Sequence, residues 1–212
     1  GSLTFSYEAR GIPAKKIVPA GVPVPSDWFC AEEREDARTL LNLPQGMPCY
    51  YIPAANDPEA AIVALLSRLH RESGRVCVAS PAEATQNGSF LARFSGDVRV
   101  VALPDEDCHA RAIAACDVVL CSPSGALSTG VARSGMPLVH LPTADPFEAQ
   151  TARFFAAQGM SLNASSYDEA AAKAISLAKD GSRRQRMRTC QMQECLTDGA
   201  QRVVRFLHEG CL

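Results

Sequence analysis

The chain has 212 residues, with 21 Lys plus Arg, 23 Asp plus Glu and a formal net charge of −2. Its 47% hydrophobic and 21% charged residues exclude a disordered chain, and the near-neutral charge argues against a nucleic-acid-binding protein held by bulk electrostatics. No apolar run approaches the roughly 20 residues needed to cross a bilayer, so we expect no transmembrane segment.

The first 26 residues are typical of a connection between domains. Gly1 and Ser2 match a cloning remnant rather than native sequence. Gly11-Ile12-Pro13 stops a short helix end, and residues 16–24 then form an extended stretch interrupted by prolines. Because the chain lacks an initiator Met, we expect an excised piece of a longer protein. Residues 1–26 are predicted to be tag remnant and interdomain linker, and 27–212 a single α/β domain.

Beyond the linker, helical and strand patterns alternate. The first helix, at 31–41, is amphipathic, with acidic residues early and leucines late. Asp57 is a good N-cap, with Pro58 at the first helical position. The predicted strands are short apolar runs at 49–52, 76–79, 98–103, 118–121, 138–141 and 160–162. The other predicted helices are 57–72, 82–94, 107–115, 125–134, 146–158, 167–179, 183–195 and 200–208.

This alternation predicts the fold class. Short continuous apolar runs are typical of parallel strands that are covered on both faces. We therefore predict an α/β fold, a Rossmann-like doubly wound parallel sheet of about six strands with helices on both faces. Ligands of such sheets bind beyond the carboxyl ends of the strands, where the next loop enters a helix, so we expect the site in those loops.

The loop after the predicted strand at 118–121 is the most informative one. Small residues and hydroxyls at 122–129 enter a helix whose first N–H groups have no internal partner, and such an end attracts a phosphate. Gly125 would allow a close backbone approach. The alternative is an ordinary capped helix, with Ser122 or Ser124 as the cap.

Two other loops follow predicted strands at the same edge. After 138–141, Glu148 and Gln150 lie in the first turn of a helix, where a carboxylate can accept hydrogen bonds from two sugar hydroxyls. Acidic residues are equally favoured at helix starts for structural reasons. The loop at 53–58 has no Gly but can still offer backbone N–H groups.

Other candidate residues point to structure rather than chemistry. His109 is favoured as a solvated helix residue. His140 ends a strand and can face a ligand, but no Ser or Cys nucleophile with an Asp partner stands out near it. The arginines between 183 and 188 favour a solvated helix face over lipid headgroups or nucleic acid.

Several chemistries have no motif in this sequence. It has neither a Walker loop nor a Gly-x-Gly-x-x-Gly, which argues against a nucleoside triphosphatase and a dinucleotide oxidoreductase. The nine cysteines show no Cys-x-x-Cys or His–Cys spacing, so we expect no metal. Small buried thiols in a reducing compartment are the favoured interpretation, which predicts a cytoplasmic location.

Five stretches together resemble a known family. GIPAKKI at 11–17 with GVPV at 21–24 is similar to the interdomain connection of the diacylglycerol glycosyltransferases, monogalactosyldiacylglycerol synthase and its processive bacterial relatives. ACDVVLCSPSGALST at 115–129 resembles the nucleotide-binding segment of that group and of the peptidoglycan glycosyltransferase MurG. GMPLV at 135–139 and EAQTARFF at 148–155 continue the similarity, which extends from about Arg10 to Leu207.

The resemblance implies the C-terminal, UDP-sugar-binding half of a two-domain GT-B glycosyltransferase that transfers a hexose to a lipid of the diacylglycerol type. The first turn of the helix at 125–134 would contact the diphosphate, the backbone near Leu103 the uracil, and Glu148 the sugar. The implied nucleotide-sugar-binding residues are Ala54, Ala55, Asn56, Leu103, Ser124, Gly125, Ala126, Leu127, Thr129, Glu148 and Gln150.

The same resemblance implies what this chain lacks. The acceptor lipid and the catalytic base would belong to the missing N-terminal half, so we expect no catalytic residue here and no transferase activity from the isolated chain. No cofactor is implied beyond the UDP-sugar, which is the donor substrate. We expect a cytoplasmic protein without a nucleic-acid partner, and peripheral association of the full-length protein with the inner face of the membrane stays open.

Departures from the family pattern leave alternatives open. Residues 53–57 replace a glycine-rich loop, and Gly130 stands where the family has a ribose-binding Glu. Phe147 and Thr151 replace a Gln and an Asn. The loss of such polar partners weakens donor binding, which favours a degenerate, non-catalytic binding or regulatory module as the alternative. A UDP-sugar epimerase of similar two-domain form is a third, weaker interpretation, since its expected carboxylates and histidine are hard to place.

Overall fold

The computed structural model describes residues 7–24, 33–53, 59–71, 75–79, 100–103, 108–195 and 199–210. Within these ranges, six parallel strands form one sheet. The strands are β1 (Cys49–Pro53), β2 (Arg75–Ala79), β3 (Val100–Leu103), β4 (Val118–Cys121), β5 (Leu138–His140) and β6 (Leu162–Asn163). The predicted parallel sheet of about six strands is confirmed.

The helices follow the predicted order. They are α1 (Arg34–Leu40), α2 (Glu59–Arg71), α3 (Cys108–Ala115), α4 (Gly125–Arg133), α5 (Pro146–Ala157), α6 (Tyr167–Lys179), α7 (Gly181–Glu194) and α8 (Gly199–Gly210). The helix predicted at 82–94 and the cap predicted at Asp57 lie outside the described residues. A short 3₁₀ turn, Ala14–Lys16, lies in the predicted linker, between extended backbone at Pro13 and at Ile17.

One strand is displaced from its predicted position. The apolar run at 160–162 predicted a strand there, but pairing with β5 involves Leu162 and Asn163. Met160 instead completes the end of α5, because its amide donates to the carbonyl of Phe155 at 2.9 Å after Gly159 turns the chain with φ +71°.

The order of the strands across the sheet is β3-β2-β1-β4-β5-β6. The chain builds outward from β1 in one direction, then returns to place β4 on the other side of β1. This point, where the strand order reverses, is the topological switch point of a doubly wound sheet, and ligands of such sheets bind beyond the carboxyl ends of the strands there.

Both faces of the sheet are covered, as predicted. Successive strand residues point to opposite faces, so Tyr50 and Ile52 contribute to one hydrophobic cluster while Cys49 and Tyr51 contribute to the other. Helices α2 and α6 cover the first face, and α1, α3, α4 and α5 supply the second cluster. Because both faces are covered, the strands are mostly apolar, which is the pattern that the sequence shows.

Buried charge is concentrated at the amino edge of the sheet. Asp117, just before β4, accepts hydrogen bonds from the Cys49 amide at 2.8 Å and from Arg38 at 3.0 Å, and it also pairs with Arg34. Arg38 is only 3% exposed and donates in addition to the carbonyl of Ala115 at 2.8 Å. These bonds join α1, β1 and β4, and we call this cluster the Asp117 brace.

Exposed apolar side chains are concentrated in two segments. Of the eleven large hydrophobic residues that are exposed in the described ranges, seven lie in residues 7–24 or in α8, Val204 and Leu207 among them. These segments meet, since a Cβ on Gly199 would lie 2.9 Å from the carbonyl oxygen of Ala20. No helix in the described ranges has the length and apolar character required to span a bilayer.

Candidate functional site

The described part of the candidate site lies at the carboxyl edge, in the loops that follow β4 and β5. The loop after β1, which contains the predicted site residues Ala54, Ala55 and Asn56, lies outside the described residues. Leu103 ends β3 and pairs with Ala79. Three strand spacings, about 14 Å, separate β3 from β4, so a ligand that touches both must extend along the edge.

The first turn of α4 presents two free amides. Ser124 is the N-cap, and its hydroxyl accepts from the Leu127 amide at 3.3 Å. The expected ordinary cap is therefore present, with Ser124 rather than Ser122 in that role. Within the described part of the chain, the amides of Gly125 and Ala126 have no acceptor, and both residues are exposed. The start of α4 thus combines a neutral cap with donors that remain available to an anion.

None of the described residues requires a glycine at position 125. A Cβ built there would meet no atom within 4 Å, so the space in front of the residue is open. Its φ does not lie in the left-handed region, unlike that of Gly135 or Gly159. A side chain would therefore be tolerated by the fold, and its absence leaves the amides approachable.

The next residues of α4 turn away from this opening. The Thr129 hydroxyl donates to the carbonyl of Gly125 at 2.6 Å, and the residue is 8% exposed. Gly130 is buried. The structure thus groups the predicted residues Ser124, Gly125, Ala126 and Leu127 in one turn and leaves Thr129 on the buried side of the helix.

The start of α5 differs from that of α4. Asp145 caps it and accepts from the amides of Phe147 at 2.8 Å and of Glu148 at 3.0 Å. Pro146, at the first helical position, has no N–H to offer. The first amides of α5 are therefore already paired with the carboxylate of Asp145, so the start of this helix offers little to an anion.

Glu148 is held in place beside this cap. Thr143 donates its hydroxyl to Glu148 Oε2 and accepts from the Asp145 amide at 3.1 Å. Among the described residues, Glu148 Oε1 has no partner, so it can accept a hydroxyl from a ligand. Gln150 is exposed on the same helix, and Phe147 is 82% exposed at its start. Sequence reasoning missed Thr143, although a hydroxyl in the loop that precedes a helical Glu is a usable signal.

The sequence also missed a buried polar network around His140. His140 Nε2 lies 3.0 Å from the Ser128 hydroxyl, and Nδ1 lies 3.2 Å from the Ser161 hydroxyl and 3.3 Å from Asn163 Oδ1. The expectation that His140 can face a ligand is wrong, because the side chain is fully buried. Ser128 lies within hydrogen-bond distance of the ring, and the amide of Asn163, not an Asp, lies on the other ring nitrogen.

The network has the connectivity of a nucleophile, a base and an orienting amide, but it is not built for catalysis. His140 and Ser128 are both 0% exposed, so no substrate reaches the hydroxyl. Burial lowers the pKa of His140 to about 4, although the hydrogen bond with Asn163 opposes the shift. The imidazole is therefore neutral at physiological pH, and the network is a structural link between α4, β5 and β6.

No protein-family model matches the chain, and no curated protein matches its sequence. Solved structures do match its fold. UDP-GlcNAc 2-epimerase from Neisseria meningitidis, bound to UDP-GlcNAc, matches with a TM-score of 0.73 at 10% identity, over 97% of this chain and 59% of that one. MurG from Acinetobacter baumannii matches with a TM-score of 0.62 at 16% identity, over 86% and 55%.

A third match is the glycosyltransferase SsfS6 from Streptomyces sp. SF2575 in complex with thymidine diphosphate. Its TM-score is 0.54 at 20% identity, over 89% of this chain and 45% of that one. The chain thus spans about half the length of the solved structures that it matches. At these identities the likeness shows the fold alone, the Rossmann-like α/β architecture of GT-B domains, as predicted.

Proposed function

We propose that the chain is the nucleotide-sugar-binding half of a GT-B glycosyltransferase and that its ligand is a UDP-sugar. The observation that carries the proposal is the contrast between two helix starts at the same edge of the sheet. The start of α4 has a neutral cap and free amides at Gly125 and Ala126, whereas the start of α5 is closed by Asp145 and carries Glu148.

The starts of α4 and α5 favour different parts of one ligand. Free amides and the helix dipole at α4 attract the diphosphate, and the loop before α4 follows β4 at the switch point. The Asp145 carboxylate disfavours an anion at α5, while Glu148 Oε1 is available to accept hydroxyl groups. A nucleotide-sugar has both an anionic diphosphate and a neutral polyol, so it complements both ends.

The bound ligands of the matching structures support this class of ligand. The Neisseria epimerase holds UDP-GlcNAc, and the Streptomyces glycosyltransferase holds thymidine diphosphate. The choice of uracil, with the backbone near Leu103 as its contact, rests on the residue resemblance described above.

The acceptor is the more specific part of the proposal. We propose a lipid acceptor of the diacylglycerol type, bound by a second domain that also carries the catalytic base, so that the full-length protein acts at the inner face of the membrane. The residue resemblance supports this assignment. The expected result is no hexose transfer to diacylglycerol by this chain with any UDP-hexose, and steady turnover would contradict it.

Titration calorimetry tests the nucleotide-sugar site. We expect UDP and at least one of UDP-glucose, UDP-galactose and UDP-N-acetylglucosamine to bind with a dissociation constant of about 1 mM or tighter. Gly125→Trp should abolish binding, because the indole fills the open space before the free amides. Gly181→Trp is the matched control, since Gly181 is also the first residue of an exposed helix start and has only Arg184 nearby.

Two departures from the family pattern favour one alternative, a degenerate module without a donor pocket. Gly130 is buried and without a side chain, and Phe147 exposes an apolar ring at the edge of the site. The same titration separates the two. Absence of heat with every nucleotide, or equal affinity in the wild type and Gly125→Trp, would favour the module and contradict the proposed site.

A further inference from the structure

Among the described residues, the hydrogen bond between Ser128 and His140 links the start of α4 to the sheet. In residues 125–132, the Thr129 hydroxyl bonds to its own helix, whereas the Ser128 hydroxyl leaves the helix for His140. Ser128 also makes the first backbone hydrogen bond of α4, since its amide donates to the Ser124 carbonyl at 3.0 Å. The residue that contacts His140 is thus the one that closes the turn containing Gly125 and Ala126.

The other side of this link is rigid. The amide of Leu141 donates to the Cys121 carbonyl at 2.9 Å, and the His140 carbonyl accepts from Ala164 at 3.1 Å, so the backbone of His140 is held by both neighbouring strands. The ring packs edge-on to Phe155 of α5 at 5.6 Å between centroids. The neighbouring strands and the ring of Phe155 thus hold the imidazole in place.

The partners of the ring also determine its tautomer. Asn163 Oδ1 accepts the proton on Nδ1, which leaves Nε2 as an acceptor for the Ser128 hydroxyl. Ser161, on the Nδ1 side, bonds to the ring and to Asn163 Oδ1, and neither of these bonds involves α4. Two serines therefore bind the same imidazole from opposite sides, and only one of them belongs to the helix with the free amides.

We propose that His140 is a positioning residue for the nucleotide site. Through Ser128 it fixes the first turn of α4, so that the amides of Gly125 and Ala126 stay aimed at the diphosphate. The effect of His140 on nucleotide binding rests on the proposed function, whereas its effect on the first turn of α4 does not. Groups that receive a charged ligand must be held within about 0.5 Å of their productive position, so loosening the turn weakens binding.

The two serines provide a matched test. Ser128→Ala and Ser161→Ala each remove one hydroxyl from the network, yet only Ser128→Ala releases α4. One neutral hydrogen bond corresponds to a roughly 3- to 10-fold effect. We expect amide hydrogen exchange at residues 128–131 of the ligand-free protein to accelerate by about that factor in Ser128→Ala and to remain near wild type in Ser161→Ala.

Nucleotide affinity is the second readout. The dissociation constant for UDP should rise roughly 3- to 10-fold in Ser128→Ala and less than about 2-fold in Ser161→Ala. Equal exchange rates at 128–131 in the two variants would overturn the positioning role, as would an unchanged UDP affinity in Ser128→Ala. If the wild type binds no nucleotide while the exchange rates differ as expected, the proposed function fails and the link between His140 and α4 stands.

Discussion

The polar groups of the Asp117 brace, at the amino edge of the sheet, and those of the first turn of α4, at the carboxyl edge, differ in how they are paired. At the amino edge, Asp117 pairs with Arg34 and with Arg38, and Arg38 is almost fully buried and also donates to the carbonyl of Ala115. At the carboxyl edge, the amides of Gly125 and Ala126 are free and Phe147 is exposed. The Asp117 brace at the amino edge is therefore built for stability, and the first turn of α4 at the carboxyl edge retains donors that a ligand can use.

This difference predicts that stability and binding can be changed separately. A substitution at the amino edge should change the free energy of unfolding and leave nucleotide affinity intact. A substitution at the start of α4 should do the reverse.

The largest expected effect is that of Asp117→Ala. It leaves the buried Arg38 charge and the Cys49 amide without their partner, which costs about 3–5 kcal/mol in the free energy of unfolding. Urea denaturation measures the loss. Asp168→Ala is the control, because Asp168 pairs with Arg68 at the surface, where an ion pair contributes roughly 0–1 kcal/mol. Similar losses in the two variants, or a changed UDP affinity in folded Asp117→Ala, would contradict the separation of the edges.

The second effect is a pH dependence of stability that arises from His140. Burial lowers its pKa from 6.5 to about 4, so between these values the unfolded chain binds a proton that the folded chain does not. Stability is fully present above about pH 6.5 and should fall by on the order of 3 kcal/mol as the pH drops to about 4. Urea titrations at several pH values measure this loss. The same slope in His140→Phe would assign it to other groups.

The smallest expected effect on stability is that of Gly125→Ala, and its sign is opposite to the effect on binding. A methyl group meets no protein atom there, and Ala is the better helix former, so the free energy of unfolding should rise by up to about 0.5–1 kcal/mol. The methyl group lies in front of the amides, so UDP affinity should fall roughly tenfold.

Gly181→Ala is the control for this substitution, since it changes the first residue of α7 in the same way. Stability should rise similarly in both variants, while calorimetry should show an unchanged UDP affinity in Gly181→Ala. A parallel fall of stability and affinity in Gly125→Ala would mean that the glycine serves the fold and not the ligand.

The sequence predicts local structure well where the cause is local. The strand at 118–121 has the predicted bounds because both its faces are buried, and burial leaves a continuous apolar run. Helix α5 begins at Pro146 as predicted, because proline and the preceding Asp145 specify a helix start through their own chemistry. Ser124 as a cap is a prediction of the same kind.

The contacts that define the site are mostly not local, and the sequence does not show them. Ser128 and His140 meet only because the rotation of α4 about its axis turns one hydroxyl toward β5, and that rotation is set by packing. Asp117 and Arg34 are 83 positions apart in the chain. Glu148 and Thr143 lie close in the sequence, but the direction of their bond depends on the course of the loop.

The buried thiols provide a way to follow the separation of the helices from one face of this sheet. Burial raises the pKa of Cys49 to about 11 and that of Cys116 well above its usual value, so neither thiol forms the thiolate that alkylating reagents attack. Both lie beneath the helices that cover one face. Iodoacetamide would thus modify Cys49 and Cys116 only after these helices separate from the strands. The rate at which these two thiols are labelled would therefore measure the rate of that separation.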